Sequence, residues 1–364
     1  MKKHVLLTTL LVSICLMAAG CGGGGSANPT GMQNASSNAN TDSSTASSET
    51  KTENASEKLQ KVVIAEGNTG FLITPIYVAK EKGFFKEEGL DVEEVTVSGG
   101  AKALAAVIGG GAQIGTVAIV DVKGAVDKGQ NIQAFSSLYN QYGTNIVINK
   151  EIAAQKGITE SSPVSDKIKA LKGLKIGISS PGSSTDHLIR NLLQSEDINP
   201  DRDVQLIPVG AGDTQIAALK NKQTDAFVNS SPISDMATKE GGMILINMSK
   251  GEYKEYDGFA FMSLVAKADD LQKNKEIYQK VVNAIAKAEK FIETDKEATK
   301  EIVKKYFEAI DTEVFDMAFE NNYPAMAKSP IITKEGYEKN NLFDGTNIPF
   351  ENVVNNEFAE KAQQ

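Results

Sequence analysis

Lys61-Val-Val-Ile-Ala65, closed by Glu66-Gly67-Asn68-Thr69-Gly70, is a short apolar run that ends in turn residues. It recurs downstream as Leu174-Lys-Ile-Gly-Ile178, closed by Ser179-Ser180-Pro181-Gly182-Ser183-Ser184-Thr185. The elements after each copy repeat as well. After the first come a helical pattern over Pro75 to Glu88, a strand over Val92 to Val97 ending in Ser98-Gly99-Gly100, a helix over Ala101 to Ile108 and a strand over Gln113 to Ile119. After the second come a helix to Gln194, a strand over Val204 to Val209 ending in Gly210-Ala211-Gly212, a helix over Asp213 to Lys222 and a strand over Thr224 to Val228. Successive strands start about 30 and then about 20 residues apart in both halves, the mark of an internal repeat. Strand and helix alternating across short connections call for parallel strands joined by right-handed crossovers. The expectation is an α/β protein of two lobes, each a mixed, mostly parallel sheet flanked by helices.

Sheets of this kind bind ligands at the carboxyl ends of their strands, where helix N-termini gather. Both halves place Gly, Ser, Thr and Asn there, so free amides and helix dipoles can meet a polar solute without any arginine. The candidate ligand-binding residues are therefore Glu66, Asn68, Thr69 and Phe71 after the first strand, Ser98, Gly99 and Gly100 after the second, Ser183, Ser184 and Thr185 in the second half, and Asn229. Tyr139 joins them, with Tyr142, as a stacking face that a core role would equally explain. Taken singly, each loop also reads as ordinary turn and cap chemistry. Glu66 and Asp186 lie near the same loops; an acid facing inward would require an amine or another donor on the ligand. Asp186 has the further explanation that an acid in a helix's first turn favours the macrodipole.

The net charge of −9 argues against nucleic acid or an anionic surface as a partner. Arg190 and Arg202 are the only arginines, which removes the usual bidentate clamp for an anion, and tryptophan is absent. Ser183 with His187 is the one serine and histidine pair within reach, and it has neither an orienting acid nor a nucleophile elbow. Apart from His4, His187 is the only histidine, so a metal site would have carboxylates alone. The reading is not an enzyme, and no cofactor or metal is expected.

Met1 to Cys21 carries two lysines, an apolar run from Val5 to Met17, and Ala18-Ala19-Gly20-Cys21. That run is too short to span a bilayer as a mature helix. It resembles a bacterial lipoprotein signal, although Ala18 stands where that pattern usually has leucine. The resemblance implies cleavage before Cys21 and acylation of its thiol, palmitate included. Cys15 would leave with the signal, so no internal disulfide is expected. A Ser, Thr, Asn and Ala-rich segment comes next, and a coil of roughly 38 such residues reaches about 35 Å. The domain expectation is a signal peptide over 1–20, acylated cysteine and linker over 21–59, lobe one over 60–142 plus 257–364, and lobe two over 143–256.

Thr74-Pro-Ile-Tyr-Val-Ala-Lys-Glu-Lys-Gly-Phe-Phe-Lys-Glu-Glu-Gly-Leu-Asp-Val92 resembles the opening helix and strand of type 2 periplasmic binding proteins, in the branch serving sulfonate, taurine, nitrate and thiamine-precursor importers. Gly-Gly-Ala-Gln-Ile-Gly at 110–115 and Asn-Lys-Gln-Thr-Asp-Ala at 221–226 match that branch's turn into the third strand of each lobe. The resemblance implies the two-lobed type 2 periplasmic-binding-protein fold. It also implies a role as the extracytoplasmic solute-binding component of an ABC importer, closing on a small polar organic solute of the sulfonate, taurine or nitrate type. Partners would be that ligand, a permease, an ATPase and the membrane through the lipid anchor, with the protein a monomer at the outer face. Two alternatives stay open: a binding protein for an aromatic or heterocyclic vitamin precursor, disfavoured by the missing tryptophan and cysteine cluster, and a ligand-sensing lipoprotein acting on a receptor. In the family the chain returns to lobe one, here through Phe259 to Ala266, so the crossings near Gln141 to Asn149 and Tyr256 to Met262 would form the hinge. Ile277, Val281, Ile285, Ala288 and Ile292 recur at near-helical spacing within Leu271 to Phe307 and predict an amphipathic helix packed on the first lobe.

Overall fold

Among the described residues, ten strands are laid down in chain order: β1 (Gln60–Glu66), β2 (Leu90–Thr96), β3 (Ile114–Ala118), β4 (Ile132–Gln141), β5 (Thr144–Asn149), β6 (Lys175–Ile178), β7 (Gln205–Pro208), β8 (Ala226–Ser230), β9 (Gly242–Ile246) and β10 (Asp257–Lys267). They belong to a computed structural model that describes residues 59–67, 69–97, 99–344 and 346–363. The signal segment, Cys21 and nearly all of the linker, with Asn68 and Ser98, lie outside the described residues.

The strands make two sheets of the same plan, β2-β1-β3-β10-β4 and β7-β6-β8-β5-β9. In each, the first three neighbours are parallel, as the repeat predicts, and the fourth runs antiparallel to both of its neighbours. That reversed strand is the one that has just arrived from the other sheet: β5 enters the second sheet directly after β4, and β10 enters the first after β9. The α/β expectation of two mixed sheets flanked by helices holds. The repeat missed β4, β5 and β9, because they belong to the crossings rather than to the repeated strand and helix units.

Register decides what stands at the rim of the first sheet. Glu66, the last residue of β1, pairs with Thr96 on β2 and with Thr116 on β3, so three polar side chains are brought to one edge. The helix expected over Pro75 to Glu88 is two helices, Thr74–Glu81 and Phe84–Glu87, separated at Gly83 with φ of 77°. Only a residue without a Cβ takes that backbone easily, and it stops the first helix.

The amphipathic stripe of the C-terminal part is buried, with Val281, Ile285, Ala288 and Ile292 all at 0% exposure. It divides into Ala268–Lys273, Lys275–Thr294 and Lys296–Lys304, and Asp295 caps the last of these by accepting the amide of Ala298 at 3.0 Å. Beyond it the chain does not stay with the first sheet. Helix Thr312–Asn322 packs on Ile233–Met236 beside the second sheet, and Asn341–Asp344 packs on Ser184–Ser195. This segment thus touches elements beside both sheets, its buried Asn321 and Asn322 finding partners on each. Among the described residues no helix is long and apolar enough to cross a membrane.

Candidate functional site

The loops that leave the carboxyl ends of the strands border one cleft between the sheets. Two hollows of 380 and 730 Å³ make it up, and they share Leu72, Gly99, Ala211, Asn229 and Ser230 in their walls. The lobes come close at Gly70, whose φ is 112° and where an added Cβ would stand 2.8 Å from the carbonyl oxygen of Ser231.

Two acids stand in the wall of the larger hollow. Glu66 is 4% exposed and reaches it from the end of β1; its Oε2 accepts the hydroxyl of Thr96 at 3.5 Å. Glu94 lies two residues before Thr96 on β2, hence on the same face of the strand, and its Oε2 is held by Lys80 Nζ at 2.5 Å. The second oxygen of each carboxylate, Oε1 of Glu66 and of Glu94, is buried without a hydrogen-bond partner. Burial first, and then the charge of Glu94, push the Glu66 carboxyl up to about 7, while Lys80 and the Thr96 bond act against this. Tyr77 and Tyr306 close the same wall as a stacked pair, centroids 3.9 Å apart, and the Tyr77 hydroxyl accepts the amide of Gly70 at 3.2 Å. Asp121 contributes a third acid from the first turn of helix Ile119–Asp127, in the smaller hollow. An added Cβ on Gly100 would meet its Oδ2 at 2.9 Å, so the two are packed together, and burial raises this carboxyl to about 7 as well.

The second lobe offers hydroxyls that are already engaged. Ser179, Ser183 and Thr185 form a triangle of hydroxyl contacts at 2.8 to 2.9 Å. Ser183 caps helix Ser184–Ser195 by accepting the amide of Asp186 at 3.4 Å, and donates to the carbonyl of Ser180 at 2.7 Å. Asn229 gives its Nδ2 hydrogen to Gln215 Oε1 at 2.9 Å.

Glu66, Thr69, Gly99, Gly100, Ser183, Ser184, Thr185 and Asn229 all border the cleft. Three neighbouring expectations fall elsewhere. Phe71 is fully buried and stacked on Phe307 at 4.8 Å, because one residue past Gly70 the chain turns into a short 3-10 helix whose side chains face the core. Tyr139 is fully buried, its hydroxyl donating to Asn322 Oδ1 at 2.6 Å. Tyr142 lies in an aromatic cluster, 4.5 Å from Phe261, and donates to the carbonyl of Ser184 at 2.7 Å. Asp186 is drawn away as well: it accepts the amide of Gly182 at 2.8 Å and pairs with Arg190 at 2.7 Å.

Sequence reasoning missed Glu94, Thr96, Asp121, Tyr77 and Tyr306. Glu94 and Thr96 share a parity on β2 that points to one face once the pairing with β1 is known. Asp121 was hidden by carrying the third strand to Ile119, where a helix in fact begins. Tyr306 comes from far along the chain and has no local signal.

No lysine or arginine is among the described residues lining the cleft. The two arginines are occupied elsewhere, Arg190 by Asp186 and Asp201 and Arg202 by Asp203. Among the described residues no group of three or more His, Cys, Asp or Glu is placed to hold a metal ion. The arrangement can therefore accept hydrogen bonds and positive charge at one end and present amides and hydroxyls at the other.

Residues 70–306 match the NMT1-like family. YtlA of Bacillus subtilis (strain 168), named as a binding protein, is 27% identical over 320 residues, covering 84% of this chain and 90% of its own. A solved structure from Bordetella bronchiseptica RB50 is 28% identical with a TM-score of 0.70, over 83% of this chain and 96% of that one. The periplasmic aliphatic sulphonate binding protein SsuA from Escherichia coli shares the fold at 17% identity and a TM-score of 0.58, over 76% of this chain and 88% of its own.

Proposed function

The chain belongs to the NMT1-like family, and from that premise we propose that it is the solute-binding component of an ABC importer, taking up a small polar organic solute outside the cytoplasm. It is a binding protein and not an enzyme, as YtlA and SsuA are named for binding. The observation that carries this reading is the cleft itself: two sheets of one plan exchange their fourth strands, so the walls can rotate about the crossings and close on a solute.

The likeness to SsuA, with the amides and hydroxyls at the starts of helices Gly100–Gly109 and Ser184–Ser195, supports a ligand with an acidic end of the sulfonate or taurine type. The carboxylates support a donor on the same ligand, which taurine has and nitrate lacks. Delivery would be to a permease and ATPase, with the protein held to the membrane by acylated Cys21. Small-angle scattering of the purified protein with each of a set of sulfonates, amino sulfonates and nitrate tests the capture step. A solute that raises the melting temperature is expected to lower the radius of gyration with unchanged secondary structure. Stabilising solutes that leave the scattering curve unmoved would count against capture by closure.

A further inference from the structure

We propose that the arm of the cleft bounded by Glu66 and Glu94 is a binding site for a nitrogen cation, the ammonium or amidinium group of a small organic solute. This rests on the solute-capture reading above and names the chemistry of its ligand. Two carboxylate oxygens, Oε1 of Glu66 and Oε1 of Glu94, are buried in the wall of one hollow, and neither receives a hydrogen bond. A buried carboxylate oxygen left without a donor is costly, so folded proteins rarely keep one without a use, and here there are two in the same place. Their other oxygens are already occupied, by Thr96 and by Lys80, which fixes both side chains with one acceptor still free.

The surroundings choose between kinds of donor. Among the described residues no lysine or arginine lines the hollow to balance Glu66, and Lys80 is committed to Glu94 at 2.5 Å, so a positively charged group supplies both the missing hydrogen bonds and the missing charge. A metal ion fits less well, since it would need three or more ligands of a kind not gathered here among the described residues. Tyr77 and Tyr306, stacked 3.9 Å apart, border the same hollow and offer aromatic surface beside the cation. A ligand anion alone, with no donor, would leave both carboxylate oxygens without a hydrogen bond.

The test uses matched pairs of probes that differ in the nitrogen: taurine against isethionate, benzamidine against benzamide, and benzylamine against benzyl alcohol. Each is assayed by thermal shift and titration calorimetry on the purified full chain. The expected result is that at least one amine or amidine member binds, its nitrogen-neutral partner binds at least tenfold more weakly, and Glu66→Gln weakens the bound member about ten- to hundredfold. Glu94→Gln should weaken it in the same direction. The ligand-free Glu66→Gln protein should melt at or above wild type at pH 8, which shows that any lost binding does not come from misfolding. Binding confined to the partners that lack the nitrogen cation, or unaffected by both substitutions, overturns the cation site while leaving solute capture intact. No stabilisation by any of the six probes overturns the cation site, and if the sulfonates and nitrate fail as well, the capture reading falls with it.

Discussion

Asn322 gives its Nδ2 hydrogen to Ser231 Oγ at 2.8 Å and accepts the Tyr139 hydroxyl on Oδ1 at 2.6 Å. One buried side chain from the C-terminal segment thus links β4 in the first sheet to the turn after β8 in the second. Ser231 passes the link on to Asp235, which also receives Ser234 and Asn321. A buried network of this kind favours one arrangement of the two lobes, because each member loses a partner if its neighbour moves.

Asn322→Ala should therefore destabilise the protein by roughly 1–3 kcal/mol, the cost of leaving Tyr139 and Ser231 short of a partner. Tyr139→Phe should cost less, about 1 kcal/mol, since it removes a single neutral bond. Urea unfolding of both variants checks the order, and equal or negligible losses would show that the link bears no strain.

Stability should depend on pH through Glu66. Its carboxyl is raised to about 7 from an ordinary 4.5, so the folded protein keeps a proton that the unfolded chain has released. Stability from this group is then fully present below about 4.5, falls as pH rises to about 7 and is level above. Glu94 and Lys80 face Glu66 with Thr96 and Tyr77, and the sign follows from burial and Glu94 outweighing Lys80 and Thr96. Glu66→Gln should equal wild type near pH 4.5 and exceed it by on the order of 2 kcal/mol at pH 8. Unfolding free energies that run parallel across this range would contradict the assignment. Asp121→Asn should move in the same direction, because burial raises that carboxyl to about 7 as well.

Ser183→Ala should cost about 1 kcal/mol of stability, the usual loss of an N-cap hydroxyl. The hydroxyl serves the amide of Asp186 and the carbonyl of Ser180, so a melting experiment without any solute is enough to see it. An unchanged melting temperature would free this side chain for the ligand.

Gly70→Ala should strain the backbone, since φ is 112°, and should press a methyl group toward the Ser231 carbonyl 2.8 Å away. The expected loss is about 1–3 kcal/mol, together with a larger radius of gyration as the lobes are pushed apart. Scattering from this variant that superimposes on wild type would remove Gly70 from the approach of the lobes.

Cys21→Ser should abolish fatty-acid labelling and leave the protein unprocessed, whereas wild type should sediment with membranes. Unlabelled, processed wild type found free in the medium would sink the anchor.

The repeat beginning at Lys61 and Leu174 determined the α/β class and the strand ends that border the cleft, because a strand period of two and a helix period near four are written locally. Glu66, Gly99, Ser183 and Asn229 were legible for the same reason: each closes a strand or opens a helix. The tertiary structure alone decided the rest. It paired β1 with β2, which set Glu94 and Thr96 beside Glu66, and it brought Tyr306 from some 230 residues away onto Tyr77. It also withdrew Phe71, Tyr139, Tyr142 and Asp186 into packing or capping, since a residue next to a strand end faces the cleft or the core according to turns that no sequence period records. The charge of the cleft comes from these placements. It depends on which carboxylates share a wall and which cations are already paired, and both are set by contacts between distant parts of the chain.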